Sequence, residues 1–222
     1  MKARGVTGSL FDEAGLPAPP VEALARGAVL LRAFALSDEK AIQKALDRIV
    51  EKAPFRHMIT PGGFRMSVAM TNCGDYGWVT DRSGYRYDRH DPDSGRPWPA
   101  LPAVFLDLAE RAAAAGGYPG FVPDACLINQ YEPGSRLSLH QDRNEKDFGA
   151  PIVSVSLGLP ANFAFYGLAR GGKAKTVGLV DGDVLVWGGP SRLAYHAVRP
   201  VKAGTHPLTG EFRFNLTFRH AR

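Results

Sequence analysis

The second half of the chain is a series of short apolar or alternating runs separated by Gly, Pro and Asp, and this pattern constrains the fold most. Candidate strands lie at 125–131, 137–140, 152–158, 162–166, 174–179, 183–187, 194–199 and 211–219. Asp181-Gly182, between two of these runs, is a strong signal for a tight turn. Many short strands with regularly spaced turns favour an all-β barrel or jelly roll. We therefore predict a mostly β fold with flanking helices.

Two helices are predicted before this β region, together with a short strand at 28–32. Residues 37–52 and 100–115 each carry apolar side chains at helical spacing on one face. A chain of 222 residues without internal repeats suits one hydrophobic core. We therefore expect a single domain over residues 1–222, in which the Gly-, Ala- and Pro-rich residues 1–20 form a flexible arm.

Residues 72–98 form a different kind of segment, without a sustained helical or strand period. Aromatic and basic side chains alternate here with Asp and Gly. They are Tyr76, Trp78, Arg82, Tyr85, Arg86, Tyr87, Arg89 and Trp98. We interpret the segment as a long surface excursion, although Trp78 alone could equally be a buried core residue.

The composition is that of an ordinary globular protein with a basic excess. A formal net charge of +5 fits a polyanionic partner without requiring one. Cys73 and Cys126 lie far apart in the sequence, so we expect reduced thiols. No stretch resembles a signal peptide or approaches the roughly 20 apolar residues of a membrane span. We expect a cytoplasmic monomer with no membrane partner.

Three residues, His140, Asp142 and His196, could form a metal site. Because residues two apart in a strand face the same side, His140 and Asp142 can point together into a barrel. His196 can join them from a distant strand, and two histidines with one carboxylate suit the open iron(II) site of non-haem oxygenases. A His-x-Asp pair also arises easily by chance, so a surface or hydrogen-bonded core histidine is the alternative for His140.

The last predicted strand places polar residues together on one face. Arg213, Asn215, Thr217 and Arg219 alternate with Phe214, Leu216 and Phe218. The polar face could simply be the outer side of a half-buried strand. Two arginines, an amide and a hydroxyl would also suit a small dicarboxylate, because guanidinium groups match carboxylates with forked donors. Asn129 and Tyr131 share a face on an earlier strand and could add donors.

These residues lie within longer motifs that closely resemble the AlkB family of iron(II)- and 2-oxoglutarate-dependent dioxygenases, which repair alkylated nucleic-acid bases. The matching stretches are 60–63, 66–74, 123–130, 137–142, 151–160, 186–189 and 215–219. The resemblance extends from about residue 27 to the end of the chain. It implies a double-stranded β-helix, or jelly roll, with residues 72–98 as a nucleotide-recognition lid.

The resemblance also implies a role for each site residue. The catalytic iron ligands would be His140, Asp142 and His196. The 2-oxoglutarate pocket would comprise Asn129, Tyr131, Arg213, Asn215 and Arg219, with Arg213 and Tyr131 at the distal carboxylate. The substrate contacts would be Trp78, Tyr85, Arg86, Tyr87, Asn144 and Arg170. Asn144 departs from the aspartate of a bacterial family member, which leaves the preference between adenine and cytosine lesions open.

The reaction implied by the resemblance is oxidative demethylation of bases such as 1-methyladenine and 3-methylcytosine. Iron(II) would be the cofactor, and 2-oxoglutarate and dioxygen would be the cosubstrates. Formaldehyde and succinate would be released. The substrate would be DNA, single-stranded in preference, with RNA as a further class. Alternatives are the same chemistry acting mainly on RNA or protein, a non-catalytic damage-recognition module, and a zinc hydrolase, although a hydrolase would not require Arg213 and Arg219.

Overall fold

The computed structural model describes residues 20–222, so the arm predicted at 1–20 lies outside the described residues apart from Pro20. Thirteen strands and two α-helices follow one another in the described part of the chain. The strands are β1 Val21–Ala25, β2 Ala28–Leu31, β3 Ala69–Gly74, β4 Gly77–Asp81, β5 Gly84–Asp88, β6 Ala125–Tyr131, β7 Leu137–His140, β8 Ile152–Gly158, β9 Ala161–Gly167, β10 Lys175–Leu179, β11 Val184–Trp187, β12 Tyr195–Val198 and β13 Arg213–Arg219. The helices are α1 Glu39–Lys52 and α2 Ala103–Ala115.

Two antiparallel sheets form the core of the fold. The larger has seven strands in the order β1-β2-β11-β8-β13-β6-β3, and the smaller has four in the order β10-β9-β12-β7. Apolar side chains of both sheets, among them Leu127, Ile152, Phe163 and Val198, belong to one buried cluster. The predicted jelly roll is confirmed, because sequential strands alternate between two sheets whose inner faces share this cluster.

Strand β13 lies in the middle of the larger sheet, between β8 and β6. All seven of its residues are buried, which excludes the half-buried strand that was the alternative for this sequence. Phe214, Leu216 and Phe218 pack on the side of the two helices. Side chains alternate across a strand, so Arg213 and Arg219 face the space between the sheets.

The helices cover the outer face of the larger sheet. Ile42 and Leu46 of α1 and Phe105 and Leu108 of α2 are buried in the same cluster as the apolar face of β13. The rings of Phe105 and Phe218 meet edge to face with centroids 5.8 Å apart. Both helices were predicted, and each begins two or three residues later than the sequence indicated, at Glu39 and Ala103.

The interpretation of residues 72–98 as an excursion without strand structure is wrong. Its start belongs to β3, which pairs with β6 and is buried along its whole length. Strands β4 and β5 then form a hairpin. A strand covered on both faces loses the alternation that marks half-buried strands, which explains why β3 was missed. The hairpin packs on Trp98, whose ring occupies the space that a side chain at Gly77 would need.

Cys73 and Cys126 are buried free thiols that lie opposite each other in the β3–β6 pair. Within residues 20–222 no helix is long and apolar enough to cross a membrane.

Asp183 links the residues that follow β2 to the turn that precedes β11. Its buried carboxylate accepts hydrogen bonds from the Arg32 guanidinium at 2.7 Å and from the backbone N–H groups of Ala33 and Val180, both at 3.0 Å. Only 1% of the side chain is exposed. Removing it leaves two backbone donors and a partly buried cation without their acceptor.

We expect Asp183→Ala to lower the free energy of unfolding by about 2–4 kcal/mol, because losing one partner of a buried polar network strands the others. Urea denaturation followed by circular dichroism measures this. The matched control is Asp107→Ala, which removes an exposed i,i+4 pair with Arg111 and should change stability by less than about 0.5 kcal/mol. Equal effects of the two substitutions would contradict the role given to Asp183.

Candidate active site

A cavity of about 830 Å³ opens between the two sheets. Its floor is formed by polar residues of β6 and β13, one wall by β7 and β12, and the opposite rim by Trp78 and Tyr85 of the β4–β5 hairpin. Strand register explains why residues so distant in sequence meet here, since His196 pairs directly with His140 and Asn215 pairs with Asn129.

His140, Asp142 and His196 come together in the lining of this cavity. The Nε2 atoms of His140 and His196 lie 3.9 and 3.8 Å from the two carboxylate oxygens of Asp142. One ligand atom of each residue lies within 4.8 Å of the others. The predicted convergence of the three side chains is therefore seen in the structure, and their role as metal ligands stays a prediction.

The hydrogen bonds of the two imidazoles prepare them for a metal. Nδ1 of His140 lies 2.7 Å from the carbonyl oxygen of Ser138, and Nδ1 of His196 lies 2.9 Å from that of Ala194. A carbonyl accepts only, so each Nδ1 carries the proton and donates it. Each Nε2 is then left with its lone pair directed at the cavity, which is the tautomer that binds metal.

Electrostatics favour the ligand forms of His196 and Asp142 at neutral pH. Burial, and next the neighbouring His140, lower the pKa of His196 to about 4, so its ring is neutral. Burial alone would raise the pKa of Asp142, but the nearby charged groups, first among them the Arg219 guanidinium 3.0 Å away, together outweigh burial and hold that pKa below its usual range. A neutral His196 ring beside an ionised Asp142 carboxylate fits a divalent iron.

Beside the trio, several buried polar atoms have no partner within the described residues. They are Asn129 Oδ1, Tyr131 Oη and Arg213 Nε. Burial raises the pKa of Tyr131, so its hydroxyl keeps its proton as a donor. Since unpaired buried polar groups are costly, this arrangement suits a ligand that supplies several oxygen acceptors.

The surroundings of Arg213 indicate that such a ligand is negatively charged. Only 1% of the residue is exposed, yet the described residues give it no ion pair. Its guanidinium donates only to Ser156 Oγ at 2.8 Å and to the Leu159 carbonyl at 3.3 Å. A fully buried cation without a counter-charge is unfavourable, so an anionic group such as a carboxylate fits beside it.

A buried ion network behind the trio was not anticipated from the sequence. Glu145 accepts from the Tyr87 hydroxyl at 2.6 Å and lies 3.1 Å from the Arg192 guanidinium. Arg192 also donates to the backbone carbonyl of Asp142 at 2.8 Å. Glu145 follows Asp142 by three residues, but nothing in the local pattern separates Glu145 or Arg192 from ordinary loop charges.

The residues predicted as substrate contacts divide into two groups. The first group lines the cavity and comprises Trp78, Tyr85, Asn144 and Arg170. The rings of Trp78 and Tyr85 stack with centroids 5.6 Å apart, and the Trp78 indole N–H donates to Asn144 Oδ1 at 3.1 Å.

The second group, Arg86 and Tyr87, lies outside the lining of the cavity. Arg86 pairs with Asp81 and Asp88 of its own hairpin, at 2.8 and 3.7 Å. The Tyr87 side chain is buried and bonds Glu145, and Arg219 donates to its hydroxyl at 3.2 Å. Neither side chain is free to reach a ligand without giving up these partners.

Comparison with known proteins agrees with this geometry. The 2OG-Fe(II) oxygenase superfamily matches residues 27–219. The alpha-ketoglutarate-dependent dioxygenase AlkB of Escherichia coli (strain K12) is 57% identical over 203 residues, which cover 91% of this chain and 94% of that protein. The nucleic acid dioxygenase ALKBH1 of Mus musculus is 37% identical over 123 residues, 54% of this chain and 31% of its own length.

A solved structure, that of OsALKBH1, superposes with a TM-score of 0.80 at 31% identity and covers 90% of this chain and 100% of the other. The chain therefore belongs to the AlkB group of the 2OG-Fe(II) oxygenase superfamily, and it is an iron(II)- and 2-oxoglutarate-dependent dioxygenase.

Proposed function

We propose that this dioxygenase removes methyl groups from the ring nitrogens of alkylated bases in DNA. The observation that carries the proposal is the composition of the cavity, in which an iron-type trio and a carboxylate-binding floor lie opposite the stacked rings of Trp78 and Tyr85. An aromatic wall facing an oxidising centre suits a flat, apolar substrate. The resemblance to AlkB and to a nucleic acid dioxygenase points the same way.

In this proposal His140, Asp142 and His196 hold the iron. Arg213, with the Tyr131 hydroxyl, binds the distal carboxylate of 2-oxoglutarate, while Asn129, Asn215 and Arg219 surround its metal-chelating end. Bound iron(II), 2-oxoglutarate and dioxygen together supply an oxidation strong enough to hydroxylate a methyl group, with succinate and carbon dioxide as products. The hydroxymethyl group then leaves the ring nitrogen as formaldehyde and restores the base.

The role of the protein residues is to bind, orient and shield. Arg219 keeps Asp142 ionised, which maintains the ligand set without a proton. Trp78, tied to Asn144 by its indole N–H, offers a fixed ring face on which a base can stack. Methylation at N1 of adenine or N3 of cytosine makes the base cationic, which adds a cation–π attraction to this ring.

A base inside a duplex cannot reach this cavity unless it is flipped out. Lesions that already block Watson–Crick pairing lower the cost of extrusion, and a single strand removes most of it. We therefore infer single-stranded DNA as the preferred substrate and RNA as a further one. The β4–β5 hairpin, within residues 72–98, acts in this proposal as the lid over the base.

Unpaired arginines support a polyanionic partner. Four exposed arginines line the mouth of the cavity and form no ion pair with any described residue: Arg65, Arg136, Arg143 and Arg170. Asp142 is the one acidic residue among those that line the cavity. Because no nearby acid neutralises these side chains, they are available to phosphate groups.

The unit that acts is inferred to be one chain and one domain. Buried free thiols at Cys73 and Cys126 fit a reducing compartment such as the cytoplasm.

The proposed function is tested by incubating protein that was loaded with iron anaerobically with a short single strand carrying 3-methylcytosine, in air, with and without 2-oxoglutarate. Mass spectrometry should detect the loss of one methylene equivalent only when 2-oxoglutarate is present. A matched RNA strand and a peptide serve as parallel substrates. Succinate formation without a repaired strand would refute the DNA assignment and turn attention to those two classes.

Asp142→Ala should abolish demethylation while leaving the affinity for DNA largely intact, because it removes an iron ligand without touching the exposed arginines. Turnover is measured by formaldehyde release and affinity by fluorescence anisotropy. The matched control is Asp47→Ala on the exposed face of α1, which should behave like the wild type. Normal turnover of Asp142→Ala would show that Asp142 is not a metal ligand.

Arg213→Met should weaken 2-oxoglutarate binding at least about 30-fold, since losing one member of a buried charge pair costs about 2–5 kcal/mol. Without 2-oxoglutarate its thermal midpoint should stay close to that of the wild type, because the cation it removes has no acidic partner there. Thermal denaturation over a 2-oxoglutarate series reads out both effects. Arg136→Met, at the exposed rim, is the control and should keep wild-type 2-oxoglutarate affinity.

A further inference from the structure

The most exposed large apolar side chain in the described part of the molecule lies at the mouth of the cavity. Phe64 is 76% exposed and contributes to the cavity lining. A single exposed apolar side chain is common on protein surfaces, so exposure alone carries no conclusion. The conformation and surroundings of Phe64 do.

Phe64 ends a tight loop that is held by backbone hydrogen bonds. The Thr60 N–H donates to the Phe64 carbonyl at 2.9 Å, and the Gly63 N–H donates to the Thr60 carbonyl at 2.8 Å. The Phe64 N–H donates to Thr60 Oγ1 at 3.1 Å. Gly63 has a φ of 82°, a left-handed conformation that glycine adopts without strain. The loop therefore presents the ring in a defined position.

The same loop is joined to the hairpin that carries the aromatic wall. Ile59 and Arg65 pair across the base of the loop, and the Thr80 hydroxyl donates to the Ile59 carbonyl at 3.3 Å. Thr80 is two residues from Trp78 in β4. The loop that carries Phe64 is thus tied to the strand that carries Trp78, and both side chains line the same cavity.

Two arginines line the same cavity as this ring. Arg65 is its chain neighbour and Arg136 lines the same cavity mouth, and both are exposed and without an ion pair among the described residues. Exposed aromatic rings next to unpaired cations are typical of surfaces that bind single-stranded nucleic acid, where rings stack on bases and cations meet phosphates. An unstacked neighbour base of a strand whose target base lies inside the cavity provides such a flat partner.

We propose that Phe64 stacks on the base adjacent to the one that enters the cavity. This proposal rests on the proposed function, because it requires a nucleic-acid strand at the cavity. Recognition then extends over two consecutive nucleotides, with Trp78 contacting the damaged base and Phe64 its neighbour. The ring is a binding determinant for a strand and contributes nothing to a substrate without a neighbouring base.

The test is a double-mutant cycle on binding, performed anaerobically with iron and 2-oxoglutarate present so that no turnover occurs. Fluorescence anisotropy gives the Kd of wild type and Phe64→Ala for a labelled single strand carrying 3-methylcytosine. The same measurement is made on a strand whose two nucleotides flanking the lesion lack their bases. Phe64→Ala should raise the Kd at least about fivefold for the first strand, and this effect should vanish for the second.

Two further variants separate stacking from other causes. Phe64→Trp should bind the first strand at least as tightly as wild type, whereas Phe64→Leu, apolar but not aromatic, should lose most of the affinity that Phe64→Ala loses. Val122→Ala, which shortens another exposed apolar side chain away from the cavity, should leave both Kd values unchanged. Equal losses of Phe64→Ala on the two strands, or no loss on either, would overturn the proposal.

Failure of the proposed function would look different. If wild-type protein binds the strand with the Phe64-dependent pattern but does not demethylate it in air, stacking stands and the DNA demethylase assignment falls. If wild type demethylates the strand and the cycle shows no coupling, the enzyme assignment stands and the role of Phe64 falls.

Discussion

The ion pair between Arg219 and Asp142 is the interaction on which the site depends. Between two packed sheets a carboxylate would normally take up a proton, because burial raises its pKa, and a protonated Asp142 could not complete a metal site with His140 and His196. The Arg219 guanidinium, 3.0 Å away, is the largest of the charges that together prevent this. Arg219 is itself buried, and it also contacts Tyr87 and Glu145. The charge of the metal site thus depends on neighbouring residues that are not themselves metal ligands.

The helices and strands that could be predicted from the sequence are those with one solvent-exposed or polar face. Strand β13 was found because Arg213 and Arg219 alternate with phenylalanines, and the helices because their apolar residues recur at helical spacing. Strand β3 was missed because both its faces are covered, which leaves no period to detect. The β4–β5 hairpin was missed for another reason. Its aromatic and charged residues line the cavity or join the ion network, so they do not alternate as the residues of a strand that packs on the core do.

The site shows the same division. The polar face of β13 could be predicted because alternation along the strand places its residues on one side. The trio could be predicted from the His-x-Asp pair, although β7 ends at His140 and Asp142 follows it in a loop. Glu145 and Arg192 could not, since a buried loop carboxylate and its arginine look like surface charges until their burial is known. Tyr87 was expected among the substrate contacts, and its position follows from chemistry that sequence cannot express, namely a hydroxyl bonded to Glu145 at 2.6 Å. Whether a residue supports a site or contacts a ligand depends on how deeply its side chain is buried, and the sequence does not specify this depth.

The Tyr87 contact has a thermodynamic consequence. One strand of the hairpin carries both Tyr85, beside Trp78, and Tyr87, which bonds Arg219 of β13. This strand therefore connects the surface that would receive the base to the arginine beside the metal site. Linkage between two such sites is reciprocal. If metal binding raises the affinity of the outer surface for a nucleic acid, binding of the nucleic acid must raise the affinity for the metal by the same factor. Damaged DNA would then slow the loss of iron from the enzyme that repairs it.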